Sequence, residues 1–151
     1  MKAAHAKLMH YVENGGTLVV QYNTNSRIGP LPVPIGPFAL EVGRDRVTDE
    51  TAPVTFLDPA HPLLATPNRI TAHDFDGWVQ ERGLYFAASW DPRYQTVISS
   101  QDPGEDPLAG GELWTRYGKG VYIFTAMSWF RQLPAGVPGA WRLFANLLSA
   151  K

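Results

Sequence analysis

The chain has 151 residues, of which 44% are hydrophobic and 18% are charged, a composition typical of a folded domain and not of a disordered chain. Its 13 Lys and Arg side chains against 14 Asp and Glu give a net charge of −1, so the charge favours neither nucleic acid nor an anionic membrane as a partner. Cysteine is absent, which excludes disulfides, thiolate zinc sites and a cysteine nucleophile. No apolar run in these residues has the length of a signal peptide or a membrane span.

The first 22 residues predict a helix followed by a strand. A helix is expected over about residues 2–13, ended by Asn14, Gly15 and Gly16, because glycine accepts the left-handed conformation past a helix end. Residues 17–22 are predicted as a buried strand. Since a helix and a strand are only half of a βαβ unit, we expect a domain that is N-terminally incomplete, with its first strand before Met1. The apolar stripe of the helix comprises Ala4, Leu8, Tyr11 and Val12.

The middle of the chain, about residues 38–117, predicts a β-rich excursion. Residues 23–37 before it are too rich in Pro and Gly for a regular element. A turn is expected at residues 61–64, and Thr71 with Asp74 indicates the start of a one-turn helix. The predicted strands are residues 38–42, 53–57, 78–80, 83–86 and 94–99.

The C-terminal segment predicts a hairpin and a closing helix. Residues 111–117 and 121–125 are expected to pair across a glycine turn at residues 118–120. The second strand has no polar break, so we expect it to be covered on both faces, as in a parallel sheet under helices. A helix is expected from Pro138 onwards. Its predicted sheet-facing stripe comprises Ala140, Trp141, Phe144, Leu147 and Leu148.

Several strings resemble the C-terminal region of large bacterial proteins of the PIG-L (LmbE-like) deacetylase family: YVENGGTLVVQYNT, LDPAHPLL, DFDGWVQERGLYF, the YGKG strand and FRQLPAGVPGAWRLFANLL. The resemblance implies that residues 1–151 form a single class I glutamine amidotransferase-like domain, related to the ThuA-like group. The implied fold is α/β, a flavodoxin-like three-layer open sheet with a β-rich insertion. In the flavodoxin-like strand order 2-1-3-4-5, residues 17–22 are the third strand, and their central neighbour precedes Met1.

The resemblance does not bring a catalytic site with it. A glutamine amidotransferase uses a cysteine nucleophile and a His-x-Glu pair, whereas this chain has no cysteine and none of its four histidines begins that triplet. The zinc-binding string of the deacetylases is His-Pro-Asp-Asp, but His61 begins His-Pro-Leu. We therefore expect a non-enzymatic accessory module, without metal or cofactor, of a sugar-deacetylase-like protein that binds carbohydrate or positions the deacetylase domain.

A candidate carbohydrate site follows from the general position of ligands in open α/β sheets, beyond the carboxyl ends of the strands. Flat aromatic rings stack on sugar faces, and polar side chains bind the hydroxyls, although aromatic residues also fill cores. Glu81 and Arg82 are interpreted as acid and clamp, with an exposed ion pair at a strand end as the alternative. The predicted site comprises Asn23, Thr24, Asn25, Trp78, Glu81, Arg82, Ser128, Trp129 and Arg131.

Two other functions remain open. A carboxylate-dependent hydrolase acting on a glycan would use Asp74, Asp76 and Glu81, of which two must converge within roughly 5–10 Å. His73 beside the two aspartates is weighed as a metal ligand against a polar turn. A purely structural or assembly role is the third hypothesis. Because an apolar strand with a free edge is a template for pairing, residues 17–22 predict a homo-oligomer along that edge.

Overall fold

The computed structural model describes residues 2–21 and 34–151 as a mixed α/β fold. Its helices are α1 (Lys2–Glu13), α2 (Pro62–Ala65), α3 (Trp129–Gln132) and α4 (Pro138–Ser149), with a 3₁₀ turn at Ala72–Phe75. Its strands are β1 (Thr17–Gln21), β2 (Leu40–Val42), β3 (Arg46–Val47), β4 (Val54–Phe56), β5 (Gly83–Leu84), β6 (Ala87–Trp90), β7 (Gln95–Thr96), β8 (Ile98–Ser100), β9 (Glu112–Tyr117) and β10 (Gly120–Thr125). Within these ranges no helix is long and apolar enough to cross a membrane.

The largest sheet of the described residues has the strand order β1-β10-β9-β7. β1 runs parallel to β10, with Thr17 opposite Val121 and Gln21 opposite Thr125. β10 and β9 form the antiparallel hairpin that the glycine turn predicts. Every residue of β10 is buried, as its unbroken apolar run indicates. The carboxyl ends of β1 and β10 therefore lie at the same edge of the sheet.

Alternate side chains of β10 enter two separate cores, because successive residues of a strand point to opposite faces. Val121 and Ile123 lie in the core beneath α4, and Tyr122 and Phe124 lie in the core beneath α1. The sheet is thus covered by one helix on each face. The buried helix side chains are Leu143 and Leu147 on α4, and Met9 and Val12 on α1.

The structure corrects the predicted orientation of both long helices. Leu8 and Tyr11 of α1 are 45% and 55% exposed, and Trp141 and Leu148 of α4 are 52% and 60% exposed. Phe144 is half-buried. Each helix carries apolar side chains on more than one face, so helical spacing alone does not decide which of them packs on the sheet.

The middle of the chain forms antiparallel strand pairs, β2 with β6, β3 with β5 and β4 with β8. The predicted strand at residues 94–99 is divided, because β7 joins β9 whereas β8 pairs with β4. The predicted strand at residues 78–80 is wrong: it is a loop in which Gln80 has a φ of +71°. The expected turn at residues 61–64 is the start of α2, where His61 Nδ1 accepts a hydrogen bond from the Leu63 N–H.

Candidate functional site

Except for Trp78, the predicted site residues that the structure describes come from two segments, the loop at residues 79–82 and residues 128–132, which include α3. We call these two segments the crest. The chain enters residues 128–132 two residues after β10 ends, and the Ser128 N–H donates to the Arg82 carbonyl at 3.0 Å. Asn23, Thr24 and Asn25 lie outside the described residues. The structure thus brings together Glu81, Arg82 and the residues from Ser128 onwards.

Gln132 holds the two crest segments together. Its Oε1 accepts the Val79 N–H at 2.8 Å, and its Nε2 donates to the Val79 carbonyl at 2.9 Å and to the Glu81 carbonyl at 3.2 Å. The Ser128 hydroxyl donates to the same Glu81 carbonyl at 2.7 Å and accepts from Gln132 Nε2 at 3.0 Å. Both side chains are fully buried. Sequence reasoning missed Gln132, although its spacing of four from Ser128 places the two on one side of a helical turn.

Glu81 forms an ion pair with Arg131, and not with its neighbour Arg82. The Arg131 Nε donates to Glu81 Oε1, and the Glu81 side chain is buried while that of Arg131 is one third exposed. The alternative of an exposed Glu81–Arg82 pair is therefore wrong. The charge of the Glu81 carboxylate is therefore balanced by Arg131 within the crest.

Arg82 is buried and binds backbone carbonyls. Its Nε and Nη2 donate to the Ala52 carbonyl at 3.0 and 2.8 Å, and its Nη1 donates to the Phe75 carbonyl at 2.6 Å. The guanidinium lies 5.5 Å from the ring centroids of both Phe75 and Trp78. Burial lowers the pKa of Arg82 to about 10, so the side chain stays charged at neutral pH. It fastens two loops together and does not present a clamp at the surface, contrary to the prediction.

Trp78 and Trp129 do not form an exposed aromatic platform, because both are buried. The Trp78 indole N–H donates to the Asp74 carbonyl at 3.1 Å, and that of Trp129 donates to the Thr125 hydroxyl at 2.8 Å. Their rings meet edge to face with centroids 5.7 Å apart. These two rings are core residues beneath the crest.

A buried carboxyl group lies at the same end of the sheet. Glu112 of β9 is paired in register with Thr125, whose hydroxyl donates to Glu112 Oε2 at 2.8 Å. Glu112 Oε1 has no hydrogen-bond partner among residues 2–21 and 34–151. Burial raises the pKa of Glu112 to about 8, so the group is mostly protonated at neutral pH. A glutamate inside the strand predicted at residues 111–117 was the sequence signal for this group.

The three carboxylates of the hydrolase hypothesis each have a different partner. Asp74 caps the 3₁₀ turn by accepting the Thr71 N–H at 2.8 Å, and it pairs with Arg142 at 2.7 Å. Asp76 is exposed and lies 3.0 Å from His73, while Glu81 pairs with Arg131. No group of three or more His, Cys, Asp or Glu side chains with the proximity to hold a metal occurs in the described ranges.

Comparison with known proteins identifies a similar fold and no family. No family model and no curated protein matches the chain. The cytoplasmic protein STM3548 from Salmonella typhimurium is similar in structure, with a TM-score of 0.55 and 20% identity over 97% of this chain. The chain covers 59% of the length of that protein. The β-galactosidase from Rahnella sp. R3 gives a TM-score of 0.49 and 17% identity, and the match covers 95% of this chain and 21% of the β-galactosidase chain. This likeness is too weak to support an argument.

Proposed function

We propose that this domain is a non-catalytic accessory module that self-associates and thereby positions the protein to which it belongs. The observation that carries the proposal is an apolar side, open among residues 2–21 and 34–151 and called the open side below, which is formed by the outer edge of β1 and the exposed apolar side chains of α1 and α4. The resemblance to the C-terminal region of PIG-L family proteins makes a deacetylase domain the partner to be positioned. Parallel pairing of β1 with β10 and a helix on each face support the flavodoxin-like arrangement that the resemblance implies.

The open side is defined by contacts on both faces of the sheet. Tyr11 of α1 and Leu148 of α4 line one cavity together with Gly16 and Thr17 at the start of β1. Since α1 and α4 cover opposite faces, these two side chains lie on either side of the start of β1. On α1, Leu8 and Ala4 precede Tyr11 by three and seven residues, and on α4 Trp141 precedes Leu148 by seven, so they lie on the same helix faces. All three are exposed.

The edge of β1 lacks the features that keep strand edges from pairing. Within the described residues β1 pairs with β10 alone. Its sequence, Thr-Leu-Val-Val-Gln, contains no charge and no proline, whereas protected edges carry Lys, Pro or a bulge. Four large apolar side chains, each close to half exposed, lie on the helices beside it. Large exposed apolar side chains on the helices beside a strand edge without protecting features favour an interaction site here.

A second copy of the chain fits this edge. Antiparallel pairing about a twofold axis at Val19 places Leu18 opposite Val20, without like charges in contact. Helices of 12 residues are about 18 Å long, and a sheet with a helix on each face is roughly 30 Å thick. Two such faces together bury about 1,000 Å², the lower end of specific interfaces.

The crest gives less support to carbohydrate binding. Its polar side chains, Ser128, Gln132, Glu81 and Arg82, are hydrogen-bonded to the protein itself, and both tryptophans are buried. A sugar site needs exposed rings and polar groups free to bind hydroxyls. Assembly is therefore the function that the geometry favours over glycan binding.

Light scattering behind size exclusion tests the proposal. We expect a dimer at micromolar protein, and we expect Leu148→Asp and Tyr11→Asp to give monomers, because each places a charge in the apolar contact. Leu57→Asp is the matched control, since Leu57 is 46% exposed but lies next to β4, and this variant should remain dimeric. A monomeric wild-type chain, or dimers in all four samples, would contradict the proposal.

A further inference from the structure

A cavity of about 570 Å³ lies at the end of the sheet opposite the crest. It is open to solvent and is bordered by the end of α1, the start of β1, the β9–β10 hairpin and the end of α4. Its volume is in the range of about 300–1,000 Å³ that is typical of small-molecule sites. The lining residues used below are Tyr11, Thr17, Arg116, Lys119, Leu148 and Lys151.

The charge of this cavity is one-sided. Arg116, Lys119 and Lys151 line it, and no Asp or Glu does. None of the three cations forms a salt bridge within the described part of the chain. Glu13 packs against Gly118 of the hairpin, and its exposed carboxylate lies 3.9 Å from His10. In a chain with a net charge of −1, this is a local concentration of positive charge.

The cations are carried by a tightly fixed backbone. A side chain at Gly120 would collide with the Val12 and Gly16 carbonyls, so the hairpin turn is pressed onto the α1–β1 connection. The Lys119 N–H donates to the Glu13 carbonyl at 2.9 Å. Arg116 Nη2 donates to the Lys151 carbonyl at 2.8 Å, which ties the hairpin to the residues after α4. Positions fixed in this way reduce the ordering cost of binding.

We infer that this cavity binds a small anion with at least two negative charges, carried by phosphate or carboxylate groups. Arg116 offers a planar fork that matches either group, and Lys119 and Lys151 add point charges. The exposed ring of Tyr11 and the side chain of Leu148 provide an apolar wall for the remainder of the ligand. This site goes beyond the assembly role, and the two cations chosen for the test do not belong to the open side.

Isothermal titration at low ionic strength with inorganic pyrophosphate and with citrate tests the site. We expect saturable binding of at least one probe, with one site per chain, weakened about tenfold or more by Lys119→Ala and by Arg116→Ala, because each removes a charge-assisted hydrogen bond. Binding of pyrophosphate alone assigns phosphate groups, and binding of citrate alone assigns carboxylates. Both of the truncated side chains are exposed, and circular dichroism checks that each variant is folded.

The matched control is Lys7→Ala, which removes an exposed lysine of α1 that does not line the cavity. Its affinity should equal that of the wild-type chain. Absence of saturable heat with both probes, or an equal loss in the Lys7 variant, would overturn the inference. Because Tyr11 and Leu148 belong to both the cavity and the open side, the oligomeric state of each titrated sample is measured by light scattering. Failure of the anion site is thereby distinguishable from failure of the proposed assembly role.

Discussion

The side-chain amide of Gln132 pairs with both backbone polar groups of Val79, accepting from its N–H at 2.8 Å and donating to its carbonyl at 2.9 Å. The amide occupies the place that a neighbouring strand would take. It thereby fixes a loop whose own backbone is unusual, since Gln80 has a positive φ. The crest is therefore held by an internal network, and its order does not require a ligand.

Gln132→Ala should destabilise the fold by about 1–3 kcal/mol, because two partly buried backbone groups of Val79 lose their protein partners and water replaces these only in part. Urea unfolding measures this loss. The control is Gln101→Ala, at a half-buried loop position whose side chain forms no hydrogen bond with the part of the chain that the structure describes. It should change the free energy of unfolding by less than about 0.5 kcal/mol. Equal losses in the two variants would show that the Gln132 amide does not hold the crest.

Glu112 should make stability fall as pH rises. Its pKa is about 8 in the folded chain against an ordinary value of 4.5, so between these values the folded state retains a proton that the unfolded state has released. Stability from this group is fully present below pH 4.5 and is lost through the window up to about pH 8, with a slope of at most about 1.4 kcal/mol per pH unit.

The variant Glu112→Gln isolates this effect, because its difference from the wild-type chain cancels all other titrating groups. We expect the variant to lose less stability than the wild-type chain between pH 5 and pH 8 in urea unfolding. Glu105→Gln, at an exposed loop position, should follow the wild-type profile. If the Glu112 and Glu105 variants have the same profile, the buried carboxyl group is not neutral in the folded state.

Two adjacent leucines of α4 should respond very differently to truncation. Leu147 is fully buried, whereas Leu148 is 60% exposed. Leu147→Ala should cost about 2–5 kcal/mol, from lost burial and the cavity left behind. Leu148→Ala should cost less than about 1 kcal/mol when unfolding is measured at low protein concentration, where the proposed dimer dissociates. The reverse order would mean that the helix packs on the sheet through its other face.

The main elements could be predicted because local patterns are sufficient for them. The β9–β10 hairpin follows from a glycine turn between two β-rich runs, and α1 and α4 follow from apolar spacing with Asn14 and Pro138 near their ends. The burial of β10 follows from its composition. In each case the deciding interaction lies within a few residues of the pattern.

The rest could not be predicted because distant partners decide it. Trp141 and Leu147 have similar hydrophobicity, and only the position of the sheet determines that Leu147 is buried. Arg82 donates to the carbonyls of Ala52 and Phe75. Since every residue has a backbone carbonyl, residue type does not show which carbonyl will accept a hydrogen bond. The same holds for Gln132, whose four polar contacts all lie in the crest segments.

Hydrogen exchange of the β1 backbone amides, followed as a function of protein concentration, tests the central claim most directly. Amides on the outer edge of β1 should exchange rapidly in dilute protein and become protected as the dimer forms. The amides of β7, at the other end of the main sheet, should not change with concentration. Exchange on β1 that is independent of concentration, or protection that appears on β7 instead, would contradict self-association through the open side.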